Sequence, residues 1–110
     1  MDENKLEQLL RFLDMAPNDP FSLYSVAYEY YRGGKYPEAL EYYTRLRNEH
    51  PDYIGTYYQL GKLWELMDDF ENALETYEKG ISVAQKQKDF HTLGELQRAQ
   101  QQARDEYEDY

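Results

Sequence analysis

Apolar positions recur along this chain with the 3.6-residue period of helices, in blocks cut by proline, glycine and aspartate. From Asp2 to Met15, Leu6, Leu9, Leu10 and Leu13, with Phe12 beside them, form one face, while Glu3, Glu7 and Arg11 form the other. That pattern predicts an amphipathic helix, ending at Ala16-Pro17-Asn18-Asp19-Pro20. Asp19 stands where an N-cap carboxylate accepts orphan N–H groups, and Pro20 where a missing N–H is harmless, so a second helix starts there and runs to about Arg32. Gly33-Gly34 breaks it, because glycine tolerates left-handed backbone angles. Pro37 sits in the first turn of a third helix, which carries Ala39, Leu40, Tyr43 and Leu46 inward and stops at His50-Pro51-Asp52, where proline pushes its predecessor out of helical geometry. A fourth helix is predicted from about Tyr53 to Met67. After a turn at Asp68-Asp69, with Asp69 as cap, a fifth runs from about Phe70 to about Lys88 with Ala73, Leu74, Tyr77, Gly80, Ile81 and Ala84 inward. From Asp89 a last stripe, Leu93, Leu96, Ala99, Ala103 and Tyr107, marks a sixth helix, and the acidic end from Asp105 to Tyr110 is expected to fray.

The blocks repeat. Adding 34 takes Tyr24, Ala39, Leu40, Glu41 and Tyr43 to Tyr58, Ala73, Leu74, Glu75 and Tyr77, and Val26, Ala27, Tyr30 and Tyr36 to Leu60, Gly61, Trp64 and Phe70. A period of this size marks a stacked helical repeat. The small positions Ala27 and Gly61, with Ala39 and Ala73, let paired helices approach closely. These residues resemble the tetratricopeptide repeat family, whose pattern is an aromatic, two spacers, Leu-Gly, two spacers, Tyr, then Ala-x3-Phe and a closing Pro. One copy reads Leu23, Val26-Ala27, Tyr30, Ala39, Tyr43 and Pro51; the other reads Tyr57, Leu60-Gly61, Trp64, Ala73 and Tyr77, with Gln85 in place of the proline.

The resemblance implies an all-α fold, a right-handed superhelical array of antiparallel helix pairs of the α-solenoid type. On this reading residues 1–110 form a single domain: a capping helix or half repeat over 1–17, repeat units over 20–53 and 54–87, and an amphipathic capping helix over 89–107. Pro17 lies 34 residues before Pro51, which makes the first helix the second half of a preceding repeat. A generic leading helix packed at the same place is the alternative.

Composition narrows the chemistry. Twelve basic and 22 acidic side chains give a formal charge of -10, which argues against nucleic acid, since phosphate binding needs clustered Lys and Arg. No apolar run approaches the roughly 20 residues of a membrane span, and Met1-Asp2-Glu3-Asn4 lacks a signal-peptide layout. A cytoplasmic location is the default expectation. No Cys is present, so thiolate chemistry and disulfides drop out. His50 and His91 read as surface residues, no nucleophile constellation is visible, and Asp68-Asp69 lacks the oxygen-ligand alternation of an EF-hand. No enzyme activity, cofactor or metal is expected.

The resemblance also implies where binding would occur. In the family the first helix of each pair lines the concave side, where peptides or partner helices lie. Carried over, that face is Phe21, Tyr24, Tyr28 and Tyr31 from the first unit and Tyr58, Lys62 and Glu65 from the second. Tyr is common in the family at the places of Tyr24, Tyr31 and Tyr58 and there reports packing, whereas Phe21, Tyr28, Lys62 and Glu65 are less stereotyped and are the better candidates for specificity. Some members hold acidic chaperone tails with a clamp of Lys, Asn and Arg; Tyr24 and Tyr28 occupy its first two places here and Lys62 stands where Asn is expected, which disfavours that ligand. Tyrosine faces attract Arg and Lys by roughly 0.5–1 kcal/mol when exposed, and the acidic chain favours basic partners kinetically. The expected function is a protein-interaction scaffold receiving a basic or apolar peptide in a Tyr-rich groove. Self-assembly as a weak homodimer through Leu93, Leu96 and Tyr107 is the alternative.

Overall fold

The computed structural model describes residues 2–109, with side chains from Lys5 to Asp109. Among them are six helices and no strand. They fall into two compact units, one up to Tyr53 and one from Ile54.

The first unit contains α1 (Asp2–Met15), α2 (Pro20–Arg32) and α3 (Tyr36–Glu49). Asp19 Oδ2 accepts from both the N–H and the hydroxyl of Ser22, each at 2.8 Å, so the cap and Pro20 fix where α2 begins. These two bonds hold the Asp19 carboxyl below its ordinary value of 3.8. Gly34 takes φ +76°, the left-handed angle that ends a helix, and the N–H of Lys35 donates to Tyr30 O at 2.9 Å. Leu13, Leu23, Val26 and Leu46 are buried together, with Leu6, Leu9, Leu10, Tyr24, Tyr30, Tyr42 and Tyr53 packed around them. Ala27, Ala39 and Tyr43 are also fully buried, whereas Leu40 is half-buried. His50 is less superficial than its place in a turn suggests: it is half-buried, and its Nε2 lies 2.5 Å from Asn18 O. Arg45 donates to Pro17 O at 2.7 Å, so the end of α3 holds the loop between α1 and α2.

The second unit contains α4 (Gly55–Leu66), α5 (Phe70–Gln87) and α6 (Phe90–Glu108). Helix α4 begins two residues later than the sequence suggests. Tyr53 N–H donates to His50 O at 3.0 Å, and its ring packs on Tyr24, centroids 5.9 Å apart, so Tyr53 belongs to the first unit's turn. Asp68 and Lys88 take left-handed angles, φ 62° and 59°, without glycine, and Asp69 and Asp89 then cap α5 and α6 through Asn72 and Thr92. The Thr92 hydroxyl and N–H lower the Asp89 carboxyl as Ser22 lowers Asp19. The core is Tyr57, Phe70, Ala73, Tyr77, Ile81, Ala84, Leu96, Ala99 and Ala103. Two glycines admit large neighbours: a Cβ on Gly61 would overlap the Tyr77 ring, and one on Gly80 would stand 2.5 Å from Tyr57 Cβ. Close packing therefore depends on the absent side chains.

The acidic end does not fray where expected: α6 continues to Glu108. Tyr107 stacks on Phe70 at 6.1 Å and its hydroxyl donates to Glu71 Oε1 at 2.9 Å, which ties the last turn to α5. Tyr110 lies outside the described residues. No described helix is long and apolar enough to cross a membrane.

Candidate protein-interaction surface

Helix α2 buries Leu23, Val26 and Ala27, which leaves Tyr24, Tyr28 and Tyr31 on one flank at helical spacing. Their rings form a ladder. Tyr24 and Tyr28 stack with centroids 6.2 Å apart and planes within 5°, and Tyr28 and Tyr31 at 6.3 Å and 7°. Tyr36, from the start of α3, tilts onto Tyr31 at 6.1 Å. Tyr28 is the most open rung, 39% exposed, while Tyr24 and Tyr31 are half-buried. Beneath it Tyr43 meets Tyr24 edge-on at 6.1 Å. Its hydroxyl is buried without a hydrogen-bond partner, and burial pushes its pKa far up. A preordered row of aromatic faces presents apolar area and π density with little side-chain entropy left to lose on binding.

Phe21 does not join this row. It is 65% exposed and lines an apolar cleft of ≈ 530 Å³ with Leu9, Phe12, Met15, Ala16, Ser22 and Ser25. Helical spacing alone would set Phe21 beside Tyr24 and Tyr28, three and seven residues on; it is α1, packed at that end of α2, that it turns toward.

In the second unit the candidates on α4 form a smaller group. Lys62 Nζ lies 5.6 Å from the Tyr58 ring centroid and 3.8 Å from Glu65 Oε2. Glu65 also accepts a short hydrogen bond from the Tyr77 hydroxyl, so this carboxylate is held within the unit. Tyr58 borders a polar cleft with Glu95, Arg98, Ala99 and Gln102 of α6. Those residues were not candidates from sequence, although 95, 98, 99 and 102 follow helical spacing and share a face. The other unforeseen group is Phe12 and Met15, 60% and 81% exposed on α1; their signal was an apolar face wider than one neighbour covers. Among the described residues no cluster of three His, Asp or Glu side chains is arranged to hold a metal ion.

A family profile described as tetratricopeptide repeat matches residues 22–47. Among solved structures, a tetratricopeptide repeat domain protein from Salinibacter ruber is 41% identical, with a TM-score of 0.76, and the match covers 79% of this chain and 88% of that one. The TPR2B domain of yeast Sti1, solved as a pHsp70 complex, matches at TM-score 0.88 and 15% identity over 96% of this chain and 84% of its own. The Sgt2 TPR domain from Aspergillus fumigatus matches at TM-score 0.78 and 24% identity, over 94% of this chain and 66% of its own; these last two likenesses speak to fold alone. Comparison with curated proteins gave no match. The 34-residue period, the helix hairpins packed through Ala27, Ala39, Gly61 and Ala73, and the Salinibacter likeness converge: the chain belongs to the tetratricopeptide repeat family, whose members generally mediate protein–protein interaction.

Proposed function

We propose that this chain is a protein-interaction adaptor that receives a peptide or partner helix on the tyrosine ladder of α2, and that Tyr58 and Lys62 of α4 are contact residues of the second unit in their own right. The observation that carries this reading is the parallel stacking of Tyr24, Tyr28 and Tyr31 with Tyr28 open to solvent. Such a row suits basic or apolar side chains laid along it, because each ring face attracts a guanidinium or ammonium group. The formal charge of -10 adds long-range attraction for basic partners, which salt weakens. Glu65 contributes indirectly, holding Tyr77 and Lys62 in place. Self-assembly through α6 has less to stand on, because Leu96 is fully buried and Leu93 packs against the second unit's core.

The test is a panel of immobilised peptides, Arg-rich, aromatic and acidic, probed with the full chain and with Tyr28→Ala. Capture of Arg-rich or aromatic peptides that falls severalfold in the variant is expected. Preferential capture of acidic peptides, or capture indifferent to Tyr28, would reject the reading.

A further inference from the structure

The cleft between α1 and α2 is separate from the ladder and is apolar, lined by Leu9, Phe12, Met15, Ala16, Phe21, Ser22 and Ser25. Phe12, Met15 and Phe21, at 60%, 81% and 65% exposure, leave roughly 400 Å² of apolar side chain in water, taking about 200 Å² for each large side chain. A patch of about that size is typical of the largest on a monomer, and such patches are often functional. The repeat shows what kind of object covers such a face. Leu9 and Phe12 hold the places, two periods back, of Tyr77 and Gly80 on α5. In the second unit those places are roofed by α4: Tyr57 Cβ comes within 2.5 Å of a Gly80 Cβ position, with Leu96 of α6 3.0 Å away, and Tyr77 is fully buried. The caps of α2 (Asp19 with Ser22) and α6 (Asp89 with Thr92) are of the same kind, although that of α6 stands two residues past the place the 34-residue period gives. Helices α1 and α2 thus offer the platform that α5 and α6 offer, with none of the described helices laid over it.

We infer that the α1–α2 cleft docks one amphipathic helix of another protein, aromatic on its buried side and net basic, lying as α4 lies on α5 and α6. This goes beyond the ladder, which it neither uses nor requires. Two quantities favour a single foreign helix over a second copy of the chain. About 400 Å² is roughly half of the ~800 Å² per partner that a stable protein–protein interface buries. Two copies would also each bring a charge of -10 to the contact, which opposes self-docking. Lys5 stands where α3 and α5 have Ala39 and Ala73, and it is drawn to Glu29 at 3.7 Å. Close approach is thereby confined to the C-terminal half of α1, beside Phe12 and Met15.

The probe is a fluorescein-labelled peptide copying Tyr53–Asp68 with lysines added at both ends, titrated with the full chain and followed by anisotropy. Wild type and Tyr28→Ala should bind alike, Phe12→Ser with Phe21→Ser should bind roughly tenfold or more weakly, as loss of buried aromatic anchors does, and added salt should weaken all three. Because those side chains are already exposed, the double variant should melt with wild type; Met15→Lys, more exposed still, is the second variant, expected to weaken binding in the same direction. No binding by wild type, or binding lost in Tyr28→Ala and kept in the Phe variant, would overturn the inference. So would a dimer in sedimentation equilibrium that the Phe substitutions dissolve, since the occupant would then be a second copy.

Discussion

Tyr43 and Tyr77 hold the same place in the two repeat units, and both are fully buried, but their hydroxyl groups end differently. Tyr77 passes over Gly61 and donates to Glu65. Tyr43 has Ala27 and Tyr31 at the matching places, and its hydroxyl has no partner. The second unit pairs this hydroxyl and leaves its orphaned groups elsewhere, at Thr56 Oγ1 and Trp64 Nε1. The first unit instead spends its aromatic residues on an outward ladder and leaves an apolar cleft at α1. At this one place the burial penalty is tolerated in one copy and relieved in the other.

The largest effect that would break this contrast is at the glycine. Gly61→Ala drives a Cβ into the Tyr77 ring and should destabilise the fold by about 1–3 kcal/mol, read as a drop in thermal midpoint; an unchanged midpoint would mean the ring can move aside. Tyr77→Phe comes next, at about 1.5 kcal/mol, because it removes a hydrogen bond to a charged, half-buried carboxylate. Tyr43→Phe should instead stabilise the fold, by about 1 kcal/mol, since it removes a buried hydroxyl that has no partner. Equal losses in the two Phe variants, measured by urea denaturation, would erase the distinction.

Titration sharpens the same contrast. Burial raises the Tyr43 pKa above its ordinary value of 10.0, so the unfolded chain ionises first. Stability from this group is full below pH 10 and falls as pH rises beyond it, a decline that Tyr43→Phe should reduce in alkaline melts. The caps respond at the other end. Asp19 and Asp89 are lowered below 3.8 by their bonds to Ser22 and Thr92; their contribution is present above that value and lost as pH falls through the folded-state pKa. Acid melts of Asp19→Asn and Asp89→Asn should therefore lose less between pH 5 and pH 2 than wild type.

Most helix limits were legible because they rest on local chemistry. Asp19-Pro20, Gly33-Gly34, His50-Pro51 and Asp69 each act within a turn of chain, and the structure puts helix ends at all of them. The start of α4 was not legible, because the ring that holds Tyr53 back belongs to Tyr24, 29 residues away. The same reason hid the bond from Tyr77 to Glu65 and the anchoring of Tyr107 on Phe70 and Glu71. Helical spacing put Tyr24, Tyr28 and Tyr31 on one face. It could not tell that Phe21 turns toward α1, since a residue's neighbours across an interface depend on which helix packs there.

The most direct test of the account is an amide-shift titration of the isotope-labelled chain with an Arg-rich peptide. The account predicts shifts gathered on α2 around Tyr24, Tyr28 and Tyr31, lessened by salt, with α5 and α6 unmoved. Shifts confined to the second unit, or none at saturating peptide, would contradict the assignment of binding to the first unit's ladder.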